Sequence, residues 1–93
     1  MSLFAAPVKV VLADGERETV LALPLAPDAR GGWQDVARVV QARVKAGGST
    51  SSFDDGELLK LQRYAYNYGG GGYQGVFRVV LRAAQRAGWE PRS

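Results

Sequence analysis

Arg78, Arg82 and Arg86 recur at every fourth position, so a helix would carry them as one stripe, with neighbours roughly 6 Å apart along its axis. Lys60 and Arg63 precede them, and no acidic residue falls between positions 58 and 88. Like charges one turn apart repel by roughly 0.2–0.5 kcal/mol per pair. A stripe with no carboxylate to relieve it suits a polyanion, whose phosphates shed counterions as the arginines approach. A solvated helical face has the same appearance. Read as a nucleic-acid surface, Arg78, Arg82 and Arg86 would hold phosphates and Lys60 and Arg63 would flank them. Tyr73 or Gln74, at the start of the same helix, would approach bases. The charge distribution points the same way. Residues 1–30 carry three basic and four acidic side chains, residues 31–93 nine and five, for a net charge of +3.

A second constellation is aromatic. Tyr64, Tyr66, Tyr68 and Tyr73 crowd around the run Gly69 to Gly72. Tyr64 and Tyr68 share a helix side, whereas Tyr66 shares a flank with Leu59. That pair is the candidate contact for a protein partner, because tyrosine offers a large, amphipathic surface at interfaces. Gly70 to Gly75 also satisfies G-x-G-x-x-G. The motif cradles pyrophosphate when a strand precedes it and a helix follows; here a helix precedes it, and no cofactor is implied. Asp54 and Glu57 stand three apart before an apolar run, the spacing of a capping box. Caps and helix dipoles account for these acids better than a metal site does.

Histidine and cysteine are absent. Disulfide frameworks, thiolate nucleophiles, Cys/His zinc sites and histidine acid–base catalysis are therefore excluded together. The expectation is a non-enzymatic protein.

The helices on either side of the glycine run resemble the helix-turn-helix family, with Ala65 four residues before Gly69 as the small residue and turn glycine are placed there. Gly75 occupies the place of the apolar residue expected six beyond that glycine, and Val76 is displaced by one. The resemblance implies that Tyr73 and Gln74 face a groove.

These residues need elements to hold them. Asp14-Gly15 separates two β-prone runs, Val8–Ala13 and Arg17–Leu23, and the pattern predicts a hairpin over 7–23 with a type I′ turn. Pro24 and Pro27 end it. Apolar spacing predicts helices over about 33–46, 55–68 and 73–87. Their inward faces would be Trp33, Val36, Ala37, Val40 and Val44; Leu58, Leu61, Ala65 and Tyr68; and Tyr73, Val76, Phe77, Val80, Ala84 and Ala87. Gly47-Gly48 and Gly88 suit the left-handed residue that closes a helix. Phe53 and Leu58 form a hydrophobic staple, and Ser49 to Ser52 reads as a polar linker. Gly31-Gly32-Trp33-Gln34, followed by Val36 and Arg38-Val39-Val40, matches Gly71-Gly72-Tyr73-Gln74, followed by Val76 and Arg78-Val79-Val80, 40 positions on. Two similar helix starts and a duplication explain that echo equally well.

The sequence thus predicts one α+β domain over 1–93, an N-terminal β-hairpin packed on three helices in the order ββααα. At 46% apolar and 23% charged residues it has the composition of a folded globule. The expected role is a binding or regulatory module, with DNA or RNA as partner through the basic C-terminal helix. The alternative is an adaptor or inhibitor that meets an acidic protein surface through Tyr66, Leu59 and the glycine loop. No membrane association is expected, since the apolar stretch from Leu3 is too short to span and is broken by Pro7 and Lys9. With no leader pattern, the cytoplasm is the expected compartment. The hairpin edges leave a homodimer open.

Overall fold

The same tripeptide, Asp-Gly-Glu, stands at 14–16 and at 55–57, and each copy opens a helix directly after a strand. The structure, a computed structural model describing residues 7–28, 30–66 and 72–90, runs β1 (Val8–Val11), α1 (Asp14–Leu21), α2 (Gly32–Gly47), β2 (Thr50–Phe53), α3 (Asp55–Tyr66) and α4 (Gly72–Arg86). In both copies the glutamate reaches back to accept the N–H of the residue before the helix. Ala13 N–H donates to Glu16 Oε1 and Asp54 N–H to Glu57 Oε1, each at 2.9 Å. Asp54 completes its box by accepting the Glu57 N–H at 2.7 Å. Ala13 has no side-chain acceptor, so α1 begins on half a box.

The α+β class holds, with a two-stranded antiparallel sheet packed on helices. The identity of the second strand differs from expectation. Residues 17–23 do not return along β1; most of them lie in α1, and the partner of β1 is β2. Gly15 is not among the glycines with positive φ, so the Asp-Gly pair makes no type I′ turn. Two early acids, Asp14 and Glu16, instead complement the positive end of a helix. The helix buries Val20 completely, and that burial overrides the β preference of Thr19-Val20-Leu21. The segment read as a polar linker is β2, whose Ser51 and Phe53 turn inward while Thr50 and Ser52 face out. Four helices result where three were expected, and α2, α3 and α4 fall on the predicted spans. The predicted end of α3 at 67–68 and the glycines 69–71 lie outside the described residues.

The echo at 40 positions extends well past the two helix starts. The molecule is two βαα halves, β1-α1-α2 and β2-α3-α4. Residues correspond at a shift of 41 through the strand and first helix, and of 40 through the long helix. Corresponding positions are buried alike: Leu12 and Phe53, Val20 and Leu61, Ala37 and Phe77, Val40 and Val80, Val44 and Ala84. Both long helices start at the second glycine of a Gly-Gly pair. Gly48 and Gly88, also equivalent, have φ of +66° and +103°, a region that favours glycine.

The halves meet as a two-fold relation requires. Equivalent strands pair antiparallel, and Val10 faces Ser51, its own counterpart. Equivalent rings stack, with Trp33 and Tyr73 4.6 Å apart and 2° from parallel. Meanwhile α4 packs on β1 and α2 on β2, so each strand is covered by the long helix of the other half. The two halves therefore share one core. The second half ends on a Schellman closure: Gly88 N–H donates to Gln85 O and Trp89 N–H to Ala84 O, both at 3.0 Å. Trp89 folds back until it is 7% exposed, and its indole N–H donates to Asp55 at 3.0 Å. Among the described residues no helix is long and apolar enough to cross a membrane.

Candidate functional site

The three arginines of α4 share a face, but their guanidinium groups do different things. Arg86 donates to Glu16 Oε1 at 2.7 Å and to the Val11 carbonyl at 3.3 Å. The first half has a matching contact. Arg43 on α2 donates to Glu57 Oε1 and to the Ser52 carbonyl. Glu16 corresponds to Glu57 and Val11 to Ser52, so Arg86 belongs to one of a pair of clasps. Each joins a long helix to the strand and helix start of the other half. The Ala13 N–H and then Arg86 hold the Glu16 carboxyl below the usual glutamate range, partly offset by burial.

Arg78 is half-buried and donates to the Ala65 carbonyl at 3.1 Å near the end of α3. Its guanidinium lies over the Tyr66 ring, 4.7 Å from the centroid. Arg38, its equivalent, likewise donates to carbonyls after the preceding helix, those of Pro27 and Ala26. Arg82 alone of the three is exposed with no such tie. An uninterrupted stripe of outward, unneutralised guanidinium groups is therefore not what α4 presents.

The other predicted contacts separate as well. Lys60 and Arg63 are exposed. Gln74 is 7% exposed and donates to the Tyr64 carbonyl at 3.4 Å. Tyr73 is held between the stacked Trp33 and the edge of Phe77. These two residues, expected to approach bases, are turned into the molecule: Tyr73 faces Trp33 of the other half, and Gln74 faces the α3 backbone of its own half. Tyr66 is 55% exposed, among the largest apolar exposures in the described residues, and Leu59 is partly buried beside it on the α3 flank. The loop Gly69 to Gly71 is outside the described residues, and Gly72 opens α4.

The structure thus brings Arg78 of α4 against Tyr66 of α3, with Arg63 one turn before Tyr66 on α3, whereas Arg82 lies one turn beyond Arg78, within electrostatic reach of Glu16. Sequence reasoning missed the tie of Arg78 to Tyr66 because the two sit on different helices. The shared Arg-Val-Val of the echo, at Arg38 and Arg78, was the available hint that Arg78 has a structural duty. No family model matches the sequence, and neither the curated proteins nor the solved structures give a match.

Proposed function

We propose that the chain is a non-catalytic binding module that docks a protein partner through the α3–α4 pair, with Tyr66 as the anchor. The observation that carries this reading is the braced exposure of Tyr66. A large ring stands more than half exposed, yet Arg78 fixes its orientation from one side. Ordering an aromatic contact before binding removes part of the entropy that association would otherwise cost. Leu59 adds apolar area, and Arg63 and Arg82, in no ion pair among the described residues, give the surface a cationic rim. A partner with an acidic border around an apolar pocket fits that chemistry. The polyanion reading is second, because Arg86 is engaged with Glu16 and Gln74 is buried.

A photoreactive phenylalanine analogue at position 66 tests the proposal, with Thr19 on the exposed side of α1 as the control position. The expected result is one defined protein adduct at 66, absent at 19, and loss of capture in Tyr66→Ala. That variant should keep its stability within about 0.5 kcal/mol, since the ring is outside the core. Equal adducts from both positions would overturn the reading. So would anisotropy showing tight, salt-dependent binding of DNA or RNA that Arg82→Ala weakens while Tyr66→Ala does not.

A further inference from the structure

The two-fold comparison exposes a site in the first half. The α1–α2 interface opens into a cleft of about 560 Å³ lined by Arg17, Leu21, Arg38, Gln41, Ala42 and Lys45. The second half has Leu58 and Leu81 where the first has Arg17 and Gln41, and both leucines are buried to 1% exposure or less. Two positions that are apolar packing in the second half are thus a cation and an amide in the first, and Lys45 stands where the second half has Gln85. Such a volume lies within the ~300–1,000 Å³ typical of small-molecule sites. We propose that this cleft binds a small phosphomonoester.

The polar groups are held in position. Arg17 Nε donates to the Gly48 carbonyl at 2.9 Å, which fixes the guanidinium at the end of α2. Its terminal nitrogens make no hydrogen bond to the described protein, and Lys45 makes none either. The Gln41 amide nitrogen donates to the Val20 carbonyl at 3.0 Å and the Leu23 carbonyl at 2.8 Å. Both amide hydrogens are spent there, so the Gln41 Oε1 is left to accept from a ligand hydroxyl or amine. Three cations and no acid line the cleft. Arg38 is already engaged by the Pro27 and Ala26 carbonyls, so Arg17 and Lys45 supply the donors for a dianion, and guanidinium matches phosphate geometry with two parallel donors. Leu21 and Ala42 supply an apolar floor for the organic part. None of these residues belongs to α3 or α4, so this inference and the Tyr66 reading stand or fall separately.

The test titrates the full chain, labelled with nitrogen-15, with adenosine 5′-monophosphate, inorganic phosphate and an oligothymidylate lacking a terminal phosphate. The expected result is saturable amide shifts confined to 17–23 and 38–48 with adenosine 5′-monophosphate, and weaker ones at the same amides with inorganic phosphate. Arg17→Leu, which restores the apolar residue type of the other half, should weaken affinity at least about tenfold. Lys45→Met, an exposed side chain with no structural bond, should weaken it several-fold while leaving the spectrum folded. No saturable shift up to about 10 mM phosphomonoester, a concentration beyond ordinary weak-ligand affinities, overturns the proposal. So do shifts that both variants leave unchanged. Tighter binding of the unphosphorylated oligonucleotide at these amides would assign the cleft to a nucleic-acid backbone and overturn the small-ligand proposal.

Discussion

The first and second βαα halves use one plan with different fillings. In the second half, Asp54 and Glu57 give α3 a full capping box, and Leu58, Leu61 and Leu81 seal α3 against α4. In the first half, Ala13 leaves the box half made, and Arg17 and Gln41 stand where Leu58 and Leu81 would. The second half presents a closed interface with an aromatic on its outside, whereas the first presents an open, cationic cleft. Equivalent backbone positions thus carry packing in one half and polar surface in the other. The difference teaches that two similar halves can both contribute to one core while the outer parts of their helix–helix interfaces are filled differently.

The largest effect that tests this contrast is in the core. Leu58→Ala should cost about 2–5 kcal/mol in urea unfolding, through lost burial and the cavity left behind. Arg17→Ala, at the matching position, should cost about 1 kcal/mol or less, the scale of one hydrogen bond at a half-exposed site. Equal losses would mean that the two interfaces are packed alike. The caps come next. Asp54→Ala should destabilise by about 1 kcal/mol, and Ala13→Asp should stabilise by about 0.5–1 kcal/mol, because it supplies the acceptor that α1 lacks. Thermal or chemical melts of the two variants read the difference directly, and a destabilising Ala13→Asp would break the equivalence of the helix starts.

The clasps should give the smallest effect. A double-mutant cycle of Glu16→Gln and Arg86→Gln should return a coupling below about 1 kcal/mol, since the pair is solvent-accessible. Its sign with pH follows from the depressed Glu16 carboxyl. A folded value below the unfolded one gives stability that is complete at neutral pH and drains away as pH falls through the folded value. Wild type should therefore lose more stability in acid than Glu16→Gln does. Parallel acid limbs in the two proteins would remove Glu16 from the account.

Local signals survive well in this sequence. The Asp54/Glu57 box, the apolar spacing of α2, α3 and α4, and the closure at Gly88 and Trp89 were readable because each depends on residues within one or two helical turns. The strand pairing was not. Thr19-Val20-Leu21 has the composition of a strand, and Thr50-Ser51-Ser52 that of a linker. Only the burial of Val20 and the pairing of Val10 with Ser51 reverse those preferences. The candidate site divides in the same way. Tyr66 and Leu59 were found from helix geometry, but the fate of the arginine stripe was decided 70 residues away, where Glu16 meets Arg86.

The sequence reached the α+β class through a second strand placed in residues that fold as α1. By itself, it determined the three longer helices, the Asp54/Glu57 box and the Gly88 closure, and the exclusion of histidine and cysteine chemistry. Those follow from residue type and short-range spacing, which act on the chain before it is folded. Tertiary structure alone decided which segment completes the sheet, which cations are neutralised, and that Arg17, Arg38 and Lys45 line one cleft. Burial and charge pairing depend on distances between residues remote in the chain, and only the packing of two interlocked halves sets those distances.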